Sequence, residues 1–441
     1  MVGLDLLFVM PEVPYPPRKG TAMRNYNLVK HLSSRHRVRV IAFEGEQTSA
    51  QAMMEAGVCE RVYTLPAPRR AVHRRLAQLV LPTPDLALRL ESKAMVGKLT
   101  EVVRRDPPDI VQVEGLEMAP AWLHSRQNAA APTQGRLFSI LDEHNAEYAM
   151  QWRAFQADRK QFRHLPQALY SFLQWAKLRR YEGWVLSRFD GVVTVSAGDA
   201  RALQQLPFGR EAIVISNGVD TDYFSPNAAE VAVYTTEQAS LSSLPEVHAA
   251  RHALVFTGTL DYRPNVDAAI WMSREIMPLV RRGCPDANLY LIGQRPCPAV
   301  CRLDGLPGVH VLGPVEDVRP YMAVASVYVV PVRYGGGVRL KVLEAMAMGK
   351  PVVSTRMGLE GIELKPNVHA LVADAASDFA LAVVSLLRDE ERSRELSRLA
   401  RMLVCEKYDW RNLIPCLESY YDKLLADGRR KAAEGQASRE V

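Results

Sequence analysis

Cysteine is scarce in this sequence, and the few cysteines do not form metal-binding or redox pairs. Of six cysteines in 441 residues, only Cys297 and Cys301 lie close together, in C-P-A-V-C. This is not the C-x-x-C spacing of a zinc site or a redox motif, and no histidine pair accompanies it. We therefore expect reduced thiols, most of them packed inside the protein, as is usual in the cytoplasm.

Long apolar runs are also missing. No segment approaches the ~20 apolar residues that a membrane-spanning helix needs. The apolar start, M-V-G-L-D-L-L-F-V-M-P, has no positively charged region, contains Asp5 and leads into prolines instead of a cleavage site. We expect neither a secretory signal nor a membrane span, and we place the protein in the cytoplasm.

Neither sign of charge dominates strongly. The sequence has 55 Lys and Arg against 49 Asp and Glu, a net charge of +6 and a pI near 8.9. A dedicated nucleic-acid binder gathers more basic charge around a known reading motif, and we find none in the sequence. We expect no nucleic-acid partner, whereas anionic small molecules or an anionic membrane surface are compatible partners.

The sequence does have a repeated alternation of strands and helices. Helical segments separate the predicted strands of the first half, which are 4–10, 37–43, 109–113, 137–141, 191–195 and 214–216. After the poorly periodic stretch 226–251 the pattern restarts, with predicted strands 253–257, 287–292, 310–312, 326–331 and 352–354. Such βα repeats predict two α/β domains, each with a doubly wound parallel sheet.

One glycine-rich segment, R-Y-G-G-G-V-R-L-K-V-L-E at 333–344, has the composition of a phosphate site. Its glycines let backbone N–H groups approach an anion, and Arg339 and Lys341 add positive charge. A helix predicted from Val342 adds the partial positive charge of its N-terminus. Glu344, in the first turn of that helix, suits hydrogen bonds from sugar or ribose hydroxyls. The alternative is an ordinary turn in which Glu344 complements the helix dipole.

Motifs spread along nearly the whole chain give this segment a context. They are P-Y-P-P-R-K-G at 14–20, D-E-H-N-A-E-Y at 142–148, V-S-A-G-D-A at 195–200, V-I-S-N-G-V-D-T-D-Y-F-S-P at 214–226, F-T-G-T-L-D-Y-R-P-N-V-D-A at 256–268 and G-V-H-V-L-G-P-V-E-D-V-R-P-Y at 308–321. In this order they resemble the group 1 (family 4) retaining glycosyltransferases, which use nucleotide-sugar donors and have the GT-B fold. The G-G-G-x-R-L-K form resembles the exopolysaccharide-associated branch of that family.

The resemblance implies an α/β fold of the GT-B class, in which two Rossmann-like domains face a cleft. The acceptor-side domain would span residues 1–216 and the nucleotide-sugar-binding domain residues 217–405. A C-terminal helix at 406–426 would cross back to the first domain, and we expect a disordered tail at 427–441.

The resemblance also implies roles for particular residues. His144 would approach the donor sugar, and Glu344 would hold the ribose hydroxyls. With Arg339 and Lys341 they form the predicted catalytic set; the predicted donor-binding residues are Gly20, Arg263, Gly335, Gly336, Gly337, Arg339, Lys341 and Glu344. For His144, the competing interpretation is a surface histidine that caps a helix.

Two departures from the family pattern stand out. The family's first glutamate of a paired-glutamate motif, eight residues before Glu344, is replaced by Gly336. The Arg and Lys that follow the first strand of the second domain are also missing, and only Arg263 is nearby. We expect Arg339 and Lys341 to supply part of that charge.

We expect no metal and no cofactor, because cations and amides of the chain can stabilise the leaving diphosphate of a UDP- or GDP-type donor. D-T-D at 220–222 matches the D-x-D of metal-dependent glycosyltransferases, but it lies inside the connector motif. Retention of the anomeric configuration is implied by the resemblance alone.

We expect the acceptor to be a saccharide or a lipid-linked saccharide. Two segments, 67–81 and 152–181, combine basic residues with apolar or aromatic ones and suit a peripheral contact with the inner membrane. The alternative is that their aromatic residues pack on the domain core and their charges face water.

Three functions compete at this stage. The first is a glycosyltransferase of surface polysaccharide or glycolipid synthesis. The second is another enzyme on this scaffold, such as a sugar-nucleotide epimerase. The third is a catalytically degenerate partner subunit that binds nucleotide sugar, which only Gly336 favours.

Overall fold

A computed structural model describes residues 3–17, 20–45, 48–68, 81–128, 137–159, 165–226, 252–335 and 338–437. The chain divides into two compact units. Unit 1 contains residues Met1–Ser216 and Trp410–Val441, and unit 2 contains residues Asn217–Asp409. The GT-B type of α/β fold predicted from the sequence is confirmed, because each unit is built on a parallel sheet.

The sheet of unit 1 has seven parallel strands in the order β3-β2-β1-β4-β5-β6-β7. They are β1 (Asp5–Met10), β2 (Arg37–Phe43), β3 (Arg61–Leu65), β4 (Ile110–Glu114), β5 (Phe138–Glu143), β6 (Gly191–Thr194) and β7 (Ile213–Val214). Successive side chains of β1 alternate between two apolar cores, with Leu6 and Phe8 on one face and Leu7 and Val9 on the other. Both faces are covered, which explains the nearly continuous apolar runs in these strands.

Helices cover the two faces of this sheet. They are α1 (Gly20–Leu32), α2 (Ala50–Glu55), α3 (Asp85–Leu88), α4 (Lys93–Arg105), α5 (Ala119–Asn128), α6 (Glu147–Asp158), α7 (Leu165–Leu186) and α8 (Ala197–Gln204). Ser92 and Ser196 cap α4 and α8, because each side chain accepts a hydrogen bond from the backbone N–H three residues on.

The sheet of unit 2 has six parallel strands in the order β10-β9-β8-β11-β12-β13. They are β8 (His252–Thr257), β9 (Ala287–Ile292), β10 (Val309–Gly313), β11 (Val327–Val330), β12 (Val352–Ser354) and β13 (Leu371–Val372). The helices are α9 (Arg263–Trp271), α10 (Met277–Gly283), α11 (Pro298–Cys301), α12 (Arg319–Val324), α13 (Leu340–Ala347), α14 (Ala376–Arg388) and α15 (Glu390–Lys407). A π-helical turn, Met272–Ile276, joins α9 to α10.

The last helix, α16 (Trp410–Ala437), returns to unit 1 and packs on α1. Trp410, Leu417 and Tyr421 are buried in the unit 1 core. The helix continues to Ala437, so the predicted helix end at 426 and the disordered tail from 427 to 437 are wrong. Residues 427–437 lack a strong apolar stripe, which is why the sequence pattern did not extend the helix over them.

Among the described residues, no helix is long and apolar enough to cross a membrane.

Candidate active site

The glycine at the carboxyl end of β8 has no room for a side chain. Gly258 follows this strand with φ +154°, and a Cβ atom there would lie 2.7 Å from the Lys341 ammonium nitrogen and 2.8 Å from Asn265 Nδ2. Any side chain at residue 258 would therefore displace both polar groups. The backbone stays bare beside a cation at the sheet edge where α/β proteins bind ligands.

Lys341 points from α13 toward that edge. Its Nζ donates a hydrogen bond of 3.0 Å to Asn265 Oδ1 and lies 4.2 Å from the centre of the Phe256 ring. Helix α13 begins at Leu340, two residues earlier than predicted, so Lys341 is in its first turn and Glu344 is in its second. The prediction that Glu344 occupies the first turn is therefore wrong.

Arg339 immediately precedes α13 and is the second cation of this site. Its Nε and Nη2 atoms are buried and have no hydrogen-bond partner among the residues that the structure describes. A Cβ atom at Gly335, whose φ is +117°, would lie 2.7 Å from Arg339 Nη2. Two N–H-bearing atoms of a guanidinium thus remain available beside a second bare glycine.

The electrostatics of the site favour an anion. Burial, and then the charge of Arg339, lower the pKa of Lys341 to about 7. Burial also raises the pKa of Glu344 to about 7, against the effect of Lys341. A phosphate placed here would favour the charged forms of both cations, because opposite charge within a few ångströms stabilises ionisation.

The other predicted donor-binding residues are distributed over both units. Arg263 is the first residue of α9 in unit 2, and its backbone carbonyl accepts a hydrogen bond of 3.1 Å from the Tyr334 hydroxyl. Gly20 is exposed at the start of α1 in unit 1. Gly336 and Gly337 lie outside the described residues.

His144 belongs to unit 1 and follows β5. Its Nε2 atom lies 3.0 Å from Glu114 Oε2, at the end of the neighbouring strand β4. The Glu114 side chain is fully buried, while 16% of the His144 side chain is exposed. His144 is not a helix cap, because the residue that precedes α6 is Ala146.

A buried hydrogen-bond chain fixes Glu114 in turn. Gln112 Nε2 donates to Glu114 Oε1 over 2.8 Å, and the Tyr421 hydroxyl of α16 donates to Gln112 Oε1. Beyond Q-V-E at the end of a strand, no sequence pattern indicates this hydrogen-bond chain, because its members come from three distant segments.

A second ion pair lies beside this chain. Arg24 of α1 binds Asp142 Oδ2 through Nη2 at 2.8 Å and Nε at 3.1 Å. Both side chains are almost completely buried. Together with Glu114 and His144, they form a cluster of two acidic and two basic side chains.

The negative charges near His144 determine the direction in which its pKa is shifted. Burial alone lowers the pKa of His144, but the hydrogen bond to Glu114 and the negative charges of Asp142 and Glu114 outweigh it. The pKa of His144 is therefore raised above its ordinary value. The imidazole is held as a proton donor over a wider pH range than a free histidine.

Two groups of side chains in the described part of the chain lie close enough together to be considered as metal sites. Ligand atoms of Glu114, Asp142 and His144 lie within 4.8 Å of one another. In the structure Asp142 is paired with Arg24, and Glu114 is paired with His144. In D-T-D, Asp220 Oδ1 accepts backbone hydrogen bonds from Asp222 and Tyr223, as expected of a connector turn.

These features define a class. A parallel sheet in each of two units is the arrangement of the GT-B glycosyltransferases. The family model "Glycosyltransferase Family 4" matches residues 18–223, and "Glycosyl transferases group 1" matches residues 251–389. Because the two models together match most of the chain, it belongs to the group 1 glycosyltransferases.

Similar solved structures support the fold. The Anabaena protein HepE, solved in complex with UDP and glucose, has a TM-score of 0.66 at 14% identity and covers 95% of this chain and 99% of its own. Sucrose-phosphate synthase from Thermosynechococcus elongatus has a TM-score of 0.68 at 16% identity, over 96% of this chain and 99% of its own. At such identities the likeness concerns the fold.

The curated relatives match a smaller part of the chain than the solved structures do. The phosphatidyl-myo-inositol mannosyltransferase of Mycobacterium tuberculosis is 25% identical over 244 residues, which are 52% of this chain and 59% of that protein. An uncharacterised 44.6 kDa protein in the cps region of Klebsiella pneumoniae is 25% identical over 164 residues, 35% of this chain and 42% of that protein. The matches thus span about half the length of the curated relatives.

Proposed function

We propose that this protein transfers a sugar from a nucleoside-diphosphate sugar to a hydroxyl acceptor, with retention of configuration and without a metal. The observation that carries the proposal is the pair Arg339 and Lys341 in unit 2. Both cations stand beside bare glycines, and Arg339 keeps two buried nitrogen atoms without a described partner. The family membership and the UDP bound to HepE agree with a nucleotide-sugar donor.

The chemistry follows from charge. When the sugar–phosphate bond breaks, negative charge grows on the leaving diphosphate oxygen. Lys341, Arg339 and the N-terminus of α13 are fixed beforehand and stabilise that charge without reorganisation. Glu344 supplies two carboxylate oxygens that accept hydrogen bonds from ribose hydroxyls.

We assign contact with the donor sugar to His144, as the family resemblance implies. Because the Nε2 atom of His144 faces Glu114, the Nδ1 N–H of the protonated ring is the group that donates a hydrogen bond to a sugar oxygen in this proposal. In this proposal no base of the protein is required, because the departing phosphate oxygen accepts the proton of the acceptor hydroxyl.

The acceptor we propose is a saccharide or a lipid-linked saccharide of surface polysaccharide or glycolipid synthesis. The Mycobacterium tuberculosis relative, a mannosyltransferase whose name specifies phosphatidyl-myo-inositol, supports a lipid-linked acceptor. A location at the cytoplasmic face of the inner membrane would follow from such an acceptor.

The test is a thermal-shift screen of the purified protein against UDP, GDP, ADP and their sugar conjugates, with and without EDTA. A ligand that binds the folded state raises the melting temperature. We expect a shift with one nucleotide class that persists in EDTA and is lost in Glu344→Ala. The matched control is Glu391→Ala, an exposed carboxylate at the start of α15.

Two outcomes would contradict the proposal. A shift that disappears with EDTA and returns with Mg²⁺ would reject the metal-independent site. A nucleotide shift without any transfer to saccharide or lipid-linked acceptors would favour the degenerate partner subunit instead.

A further inference from the structure

Helices α6 and α7 form a hairpin whose aromatic residues are held between them. The Trp152 ring centre lies 5.2 Å from that of Phe155 and 4.7 Å from that of Trp175. Phe155 lies 5.4 Å from Phe172. These aromatic residues of the basic segment 152–181 therefore pack largely on one another. This agrees in part with the alternative from the sequence, in which they pack on the domain core.

Several apolar side chains of α7 are exposed, and Phe172 of the aromatic cluster is one of them. Leu165, Leu169, Phe172 and Leu173 follow one another at helical spacing along α7 and are 44%, 61%, 39% and 38% exposed. The spacing i, i+4, i+7, i+8 places them on one face of the helix. Single exposed apolar residues are ordinary in proteins, whereas a continuous stripe of four marks an interaction surface.

The exposed charge of α7 has one sign. Its only acidic residue, Glu182, is fully buried and accepts hydrogen bonds of 2.9 Å from the backbone N–H groups of Glu147 and Tyr148. Arg179 and Arg180 are exposed beyond the end of the stripe. The helix thus presents apolar side chains followed by positive charge, with no exposed acid of its own.

We propose that this outer face of α7, which we call the α7 stripe, docks the protein on an anionic lipid bilayer. Apolar side chains next to arginines match the acyl boundary and the anionic headgroups of such a surface. A second copy of the chain is a poorer partner, because its own α7 would offer no exposed acid to Arg179 and Arg180. The proposal goes beyond the transfer reaction and does not depend on it.

Vesicle co-sedimentation of the full chain tests the proposal. The vesicles contain phosphatidylcholine alone or phosphatidylcholine with phosphatidylglycerol, and no donor is added. We expect binding only to the anionic vesicles, with a partition coefficient that falls as salt is raised. Leu169→Gln should lower it roughly tenfold, and Arg179→Gln with Arg180→Gln should lower it about fivefold per arginine.

The chain offers matched controls in unit 2. Leu381 of α14 is 68% exposed, and Arg274 and Arg302 are exposed outside the α7 stripe. Leu381→Gln and the double change Arg274→Gln with Arg302→Gln should leave vesicle binding unchanged. Leu169 is itself exposed, so its replacement leaves the core intact, which an unchanged melting temperature would verify.

Three results would overturn the proposal. They are equal binding to neutral and anionic vesicles, equal effects of the α7 and control variants, and a dimer in light scattering that Leu169→Gln abolishes. Because the assay contains no nucleotide, failure here would leave the thermal-shift result on donor binding untouched, and the reverse also holds.

Discussion

Charged side chains at the ends of β4 and β5 are paired so that each buried cation has its own anion. Arg24 binds Asp142 and His144 binds Glu114, and three of these four side chains are almost fully enclosed. A buried ion pair leaves a costly unpaired charge when one partner is removed. The identity of Glu114 therefore determines how His144 holds its proton.

Replacing Glu114 by glutamine should lower the pKa of His144. The amide keeps an oxygen that can accept from Gln112, so the packing is preserved while the negative charge is lost. The measurement is a pH titration of the His144 ring signal by NMR, assigned with a His144→Asn variant. Glu101→Gln, an exposed change on α4, is the control and should leave the titration unchanged.

The same pair makes stability depend on pH in a defined direction. Folding raises the pKa of His144. The His144–Glu114 pair therefore stabilises the folded protein fully at pH values below the usual histidine pKa of about 6.5. This stabilisation is lost as the pH rises through the raised pKa of the folded state. Glu114→Gln should therefore lower the free energy of unfolding more at about pH 5.5 than at about pH 9. An equal loss at both pH values would show that the carboxylate does not hold the proton.

Residues of the unit 2 site differ in how well the sequence predicts them. Arg339, Lys341 and Glu344 lie within six positions, so local composition was enough to suggest a phosphate site. Asn265 contacts Lys341 across 76 positions, and only the folded sheet brings the two together. Periodicity and composition do not predict such contacts. For this reason the sequence does not predict that Asn265, Gly258 and Glu114 belong to the sites.

At the scale of elements, the strands buried on both faces were predicted most accurately. Strands β2, β9 and β12 have the predicted bounds, because apolar β-branched runs are typical of covered parallel sheets. β3 and β13 were missed. Both lie at the edge of a sheet, and only one residue of each strand is buried, so their apolar pattern is weak.

Two helical glycines should respond to alanine in opposite directions. A Cβ atom at Gly183 of α7 would overlap the carbonyl oxygen of Pro207, which is backbone and cannot move aside cheaply. Gly97 of α4 has nothing within 4 Å of that position. Gly183→Ala should cost about 1–3 kcal/mol, whereas Gly97→Ala should stabilise by about 0.5–1 kcal/mol. The midpoints of urea unfolding measure both, and a shift of the same sign in the two variants would contradict this packing.

At the scale of the whole molecule, unit 1 is assembled from both ends of the chain. Helix α16 contributes buried residues to a core whose strands end at residue 214, nearly 200 positions earlier. The sequence predicted the return of the last helix only through the family resemblance, since amphipathic spacing does not say which domain a helix covers.

Leu417→Ala should destabilise unit 1 selectively. Leu417 is fully buried in the unit 1 core, and its truncation should cost about 2–5 kcal/mol. Hydrogen exchange followed by peptide should show faster exchange within residues 1–216 and unchanged exchange within 217–409. The control Lys423→Ala, an exposed position on the same helix, should have no effect beyond about 0.5 kcal/mol. Equal acceleration in both units would contradict the independent cores.

In the proposed mechanism Lys341 acts on the leaving diphosphate. The direct measurement is donor affinity and turnover at saturating donor for the wild type, Lys341→Ala and the exposed control Lys365→Ala. Because leaving-group charge peaks in the transition state, Lys341→Ala should lower kcat roughly a hundredfold and weaken donor binding less than about tenfold. An unchanged kcat, or a loss of affinity as large as the loss of turnover, would contradict the account.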